Sequence, residues 1–204
     1  MCYGQGAQQK LNYAGRLAAT LAFLIIEQTD KVAMATFDDR VRTSLPPSNG
    51  RQQILRITNT LDQLQPRHRS AIGNSLTQLA TAAGRRRIII VLSDLLVDLE
   101  ELEKALQRLA FAKHEIVLMQ LLHRDEIDFK FDGNIRFEGL ENASDSHLTR
   151  PSDIRKAYLN AFNKHQDQLE AVCDANRCER IVCPTDRPPA ELFADYLQNR
   201  SRRL

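Results

Sequence analysis

No stretch of the 204-residue sequence is long and apolar enough to span a bilayer. The run LAATLAFLII, Leu17 to Ile26, falls well short of the roughly 20 residues a spanning helix needs, and Arg16 precedes it directly. A signal-peptide pattern is missing as well, so the expectation is a cytoplasmic chain without a membrane span. Charge of one sign is not in excess either: 28 Lys and Arg face 26 Asp and Glu. That balance offers no net field for nucleic acid or an anionic membrane, and neither is expected as a partner. The basic clusters, Arg85 to Arg87 and Arg200, Arg202 and Arg203, are local and read as solvated element ends. Cys2, Cys173, Cys178 and Cys183 lack the close pairs of a zinc site and read as reduced thiols. His114-Glu115 has no second histidine four residues on, which removes a zincin site. Ser93 sits in no G-x-S-x-G elbow, so serine-hydrolase chemistry has no footing.

With 43% apolar and 26% charged side chains, the composition is that of an ordinary globular chain able to bury a core. No repeat, low-complexity segment or linker divides it, and a single α/β domain over residues 1–204 is expected. Leu11, Ala14, Leu17, Ala18, Leu21, Leu24 and Ile25 recur at helical spacing and predict a helix apolar nearly all round. KVAMATF follows as a strand covered on both faces, and Asp38-Asp39 turns it into the half-exposed RVRTSLP, which Pro46-Pro47 should end. Gln52 to Leu64 reads as a helix with Ile54, Leu55, Ile57, Leu61 and Leu64 inward, and SAIGNSLTQLATAAG as another. The strand at Ile88, a helix from Leu99 to Ala112 and the buried strand EIVLMQLL come next. Between Asp125 and Arg150 the pattern breaks, apart from the strand-like NIRFEG. A long helix from Pro151 to Asp174, the strand ERIVC and a helix opened by Pro188-Pro189 complete the alternation.

The segment RRRIIIVLSDLL places Asp94 where a buried apolar strand runs out. At the carboxyl edge of an open parallel sheet, ligands bind, so an acid there is a candidate metal or phosphate contact. The alternative is a cap for the following helix. Asp38, Asp39, Asp94 and Asp98 can also be imagined as an acidic cluster for two-metal phosphoryl chemistry, although Asp38-Asp39 is better explained as a hairpin turn.

KLNYAGRLAATLAFL, TDKVAMATFDDRV, SDLL, HEIVLMQLLHRDEIDF, RFEGLE and CPTDRPPAELFADYLQNR occur in this order from Lys10 to Arg200. In that order they resemble the von Willebrand factor A-like domain of the bacterial domain-of-unknown-function 58 family, whose members are commonly encoded beside MoxR-type AAA+ ATPases. The resemblance implies a three-layer, Rossmann-like α/β sheet with helices on both faces. It also implies a metal-ion-dependent adhesion site at the carboxyl edge, built from a D-x-S-x-S run, a threonine and an aspartate. Asp94 matches the aspartate, and Ser70 falls where the threonine would be. Hydroxyls plus one or two carboxylates suit Mg²⁺, which takes about six oxygens and keeps some waters. Glu126, Glu138 and Glu141 fall on the family's pattern and read as surface acids in a loop insertion.

D-x-S-x-S itself is nowhere in the chain, and MCYGQG resembles what would follow it. The resemblance thus implies a chain that begins one strand late and lacks the first central strand, between those at Val32 and Ile88. Asp94 and Ser70 alone are too few ligands, so Mg²⁺ is expected only in a longer form and no cofactor for this chain. The expected function is a non-enzymatic interaction module whose partner is a MoxR-type AAA+ ATPase or its client. The alternatives are a metal-dependent hydrolase or nuclease using Asp94 with Asp38 and Asp98, and a non-functional fragment from a late start.

Overall fold

Local apolar periodicity becomes seven α-helices, a 3-10 turn at Gly6–Gln8 and seven strands in a computed structural model that describes residues 1–64, 72–82, 84, 86–131, 135–138, 146–149 and 151–201. Helix α1 (Lys10–Glu27) leads into strands β1 (Val32–Phe37) and β2 (Val41–Ser48), then helices α2 (Arg51–Asp62) and α3 (Ile72–Ala82). Strand β3 (Ile88–Ser93), helix α4 (Leu99–Phe111), strand β4 (Glu115–Leu122) and the short helix α5 (Arg124–Asp128) follow. Strands β5 (Ile135–Glu138) and β6 (Ser146–Thr149), helix α6 (Pro151–Ala175), strand β7 (Glu179–Pro184) and helix α7 (Pro189–Ser201) close the order.

The strand buried on both faces is β4, whose residues from Ile116 to Leu122 are all buried. It lies between β3 and β7, parallel to both, with Val91 opposite Leu118 and Met119 opposite Ile181. The strand at Ile88 is also covered on both faces, with Ile89 and Val91 in one core and Ile90 and Leu92 against the other, but it is only partly buried because one lateral edge lacks a strand among the described residues. Among the described residues β3 pairs with β4 alone, and Ile88 at its amino end is 60% exposed.

Successive β4 side chains point to opposite faces, and each face has its own cover. Ile116 and Leu118 pack with Leu102, Leu106 and Leu109 of α4, Ile72 and Leu76 of α3, and Leu169 of α6. Val117, Met119 and Leu121 pack with Tyr13 and Leu17 of α1 and with Leu192 and Phe193 of α7. Each fully buried leucine among them stabilises the fold by about 1.5–3 kcal/mol relative to exposure. Helices therefore cover both faces of a three-stranded parallel sheet.

The hairpin departs from expectation in detail. β1 and β2 pair antiparallel, as the turn at Asp38-Asp39 predicts, but β2 runs on through Pro46 and Pro47 instead of ending there. A register shift between Val32 and Met34 accommodates them, and edge strands and bulges are where a strand tolerates proline. The hairpin and the parallel sheet are not hydrogen-bonded to each other among the described residues, yet α1 packs against β1, β3 and β4.

Two helices face differently from the pattern predicted. Phe23 and Leu24 lie on an exposed side of α1, so the helix is apolar nearly all round yet buried on one side only. In α2 Leu55 is exposed and Gln53 is buried, because the Gln53 amide donates to both Val32 O and Pro46 O at 2.9 Å and ties the helix to the hairpin. Strand β6, partner of β5, was not expected, since SHLT is short and carries little β signal.

Candidate functional site

The three parallel strands end at one edge, and charged side chains collect beyond it. β3 runs into Asp94, β4 into His123, Arg124, Asp125 and Glu126, and β7 into Thr185 and Asp186. Ser93 Oγ accepts from the Leu95 N–H at 3.1 Å, closing a tight turn around Asp94 that sets Leu95 at a φ of 54°. The buried Gln120 amide donates to the Asp94 carbonyl at 3.4 Å from the neighbouring strand. Asp94 thus sits on a turn secured from two sides.

Facing it is a buried cation. Lys10, the first residue of α1, is 2% exposed, and its Nζ lies 3.1 Å from Asp94 Oδ2 and 2.8 Å from Glu126 Oε1. The more exposed Met1 amine meets the same Asp94 oxygen at 2.9 Å. Burial works to raise the Asp94 carboxyl, but the charges and hydrogen bonds of Lys10 and the Met1 amine outweigh it and hold the group below the usual carboxylate range. Asp94 is therefore an anion at neutral pH.

Glu126 is committed on both oxygens. Oε1 accepts from Lys10, while Oε2 accepts from the His123 N–H at 2.8 Å, and His123 Nδ1 accepts from the Asp125 N–H at 3.2 Å. This reciprocal capping box starts α5 and carries Glu126 to the edge of β4. Tyr3 donates to Asp125 Oδ2 at 3.0 Å and stacks edge-on against His123, so the segment before α1 lies over α5. Burial, then the bond to Asp125, raises the Tyr3 hydroxyl above its ordinary value. Tyr158 of α6 donates to the Glu126 carbonyl at 3.0 Å, and burial pushes its hydroxyl up to about 12.

The acids singled out in the sequence are divided among different tasks. Asp98, not Asp94, caps α4, accepting from the Glu100 and Glu101 N–H groups at 2.9 and 3.0 Å. Asp38 is held by Arg42 Nε at 2.6 Å, and Asp39 pairs with the same guanidinium within the hairpin. Ser70 and Glu141 lie outside the described residues, as does the Glu138 side chain. Glu126 is not a loop acid but half of a buried ion pair. Lys10 was missed entirely; the available signal was a lysine opening an apolar helix, where the helix dipole favours an acid.

A magnesium ion would need about six oxygens at ~2.1 Å. Here one Asp94 oxygen already meets two ammonium groups, and no three His, Cys, Asp or Glu side chains converge as metal ligands among the described residues. The described donors do not fit that ion.

The sequence model of a family described as "Protein of unknown function DUF58" matches residues 1–168. Among solved structures, the chain is similar to the conserved hypothetical protein BatB of Bacteroides thetaiotaomicron, at 14% identity and a TM-score of 0.58, covering 95% of this chain and 88% of that one. It is also similar to an aerotolerance-related membrane protein of Bacteroides fragilis, solved with multiple mutations to serine, at 16% identity and a TM-score of 0.57, covering 91% and 86%. At these identities the likeness concerns the fold. No curated protein matches the chain. Among the described residues no helix is long and apolar enough to cross a membrane.

Proposed function

We propose that this chain, which belongs to the DUF58 family, is a non-enzymatic interaction module of von Willebrand factor A type that meets a protein partner at the carboxyl edge of its parallel sheet. The observation that carries this reading is the make-up of that edge. A 58%-exposed Leu96 and the Arg124–Asp186 ion pair at 3.4 Å flank the buried Asp94–Lys10–Glu126 cluster. An exposed apolar residue beside charged rim groups on rigid strand ends suits a protein contact. Helices on both faces of the sheet agree with a three-layer arrangement of that type. The partner class comes from the sequence resemblance: a MoxR-type AAA+ ATPase or its client.

Binding of the MoxR-type ATPase of the source organism to immobilised chain tests the proposal. Leu96→Asp with Arg124→Ser should weaken binding at least tenfold, about 1.4 kcal/mol, while the lost exposed ion pair to Asp186 costs the fold under about 1 kcal/mol. Phe111→Ser, at the end of α4 before the amino edge of β4 and 92% exposed, should leave binding intact. Equal binding by all three proteins would overturn it. The alternative, a metal-dependent hydrolase built on Asp94, Asp38 and Asp98, predicts turnover of nucleic acid or phosphoesters with Mg²⁺ or Mn²⁺; none is expected, since Asp38 and Asp98 are engaged elsewhere.

A further inference from the structure

A lysine at the first position of a helix works against the helix dipole, and a buried ammonium without partners is prohibitively expensive. Lys10 nevertheless opens α1 at 2% exposure, with two carboxylates within 3.1 Å of its Nζ. Those partners come from different strand ends, Asp94 after β3 and Glu126 in the helix after β4. The three groups are drawn together by tertiary structure, not by a local turn. The Glu126 contact has the length of a charge-assisted hydrogen bond and the Asp94 contact that of an ordinary one, and the compact ammonium, with three donors, can serve two acids at once.

We infer that Lys10 is the resident cation of this edge: its ammonium bridges Asp94 and Glu126, with the Met1 amine as a second cation on Asp94, and by occupying the space between the two acids it keeps a divalent ion out. The charge balance that a metal would supply at such an edge is supplied here by the chain itself. The inference concerns this internal ion triad and does not depend on which partner, if any, binds the edge.

The test compares unfolding midpoints of the wild type, Lys10→Met and the triple variant Lys10→Met/Asp94→Asn/Glu126→Gln, with and without millimolar MnCl₂ at matched ionic strength. Mn²⁺ binding is read in parallel from loss of the free-ion electron paramagnetic resonance signal. The wild type should show neither a Mn²⁺-dependent midpoint nor signal loss. Lys10→Met, which removes the cation the two acids share and leaves Asp94 only the more exposed Met1 amine, should unfold at a clearly lower temperature. The triple variant should recover most of that loss, because it removes the uncompensated charges along with the lysine. Stoichiometric Mn²⁺ binding by the wild type that disappears in Asp94→Asn would overturn the inference. So would a Lys10→Met midpoint equal to wild type, or a triple variant no more stable than the single one.

Discussion

The Arg180 guanidinium donates to Gln120 Oε1 at 2.7 Å, and Gln120 in turn points its amide at the Asp94 carbonyl. Gln120 is the one polar residue among the buried positions of β4, and Arg180 also reaches Gln166 Oε1 at 2.7 Å and Glu170 Oε2 at 2.5 Å on α6. The amide thus links the turn at Asp94 to β7 and α6 through the middle of the sheet.

Gln120→Leu keeps the volume but removes both bonds and strips Arg180 of a buried partner. The expected loss is about 1–3 kcal/mol in urea denaturation. Glu170→Ala removes only the half-exposed end of the same network and should cost under about 1 kcal/mol.

Asp98 and Asp94 are separable by substitution. Asp98→Ala should cost about 0.5–2 kcal/mol through the lost α4 cap. Asp94→Asn leaves that cap intact but deprives buried Lys10 of one carboxylate, with an expected loss of about 1–3 kcal/mol. Because the two mechanisms share no partner, the double variant should lose the sum. Urea midpoints of the three proteins check this.

Asp94 also sets a pH dependence. A carboxyl whose folded pKa lies below its unfolded value of ~3.9 binds fewer protons in the folded state. Its contribution is complete above that unfolded value and is lost as pH falls through the depressed folded value. Urea midpoints taken from neutral pH down to about pH 2 should fall less steeply in Asp94→Asn than in the wild type. Parallel curves would show that Asp94 is not linked to acid stability.

Thiol reactivity should divide by burial. Cys183 is 0% exposed, and burial pushes its thiol up to about 12. Cys173 and Cys178 are buried at the junction of α6 and β7, while Cys2 is only half-buried. Iodoacetamide on the native protein should therefore label Cys2 first, and all four thiols should react only after unfolding. Intact mass and peptide mapping read the order; native labelling of Cys183 as fast as Cys2 would contradict the packing.

Gly73 marks the close approach of α3 to α4. A Cβ there would lie 3.0 Å from the backbone oxygen of Glu101, which cannot move aside as a side-chain tip could. Alanine improves helix propensity by up to about 1 kcal/mol, but overpacking against a helix backbone costs about 1–3 kcal/mol. Gly73→Ala should be net destabilising by thermal denaturation, and a raised midpoint would show that the helices can separate without loss.

Where information is local, the amino-acid sequence determined the outcome. Apolar spacing set the alternation of strands and helices, the Asp38-Asp39 turn set the hairpin, and the end of the Ile88 strand placed Asp94 at the carboxyl edge. Each is decided by residues within a few positions, through periodicity and turn chemistry. Which strand became central, which acid capped α4 and which neutralised a lysine were decided by tertiary structure. β3 and β4 carry equally apolar runs, and only lateral pairing on both sides makes one of them fully buried. Asp94 and Asp98 are chemically identical, and only the turn held by Ser93 gives the cap to one and the cation to the other. Lys10 finds Asp94 and Glu126 across 84 and 116 residues of chain. Contacts of that span leave no periodic trace, because they are made by the packing of α1 over strand ends it does not adjoin in sequence.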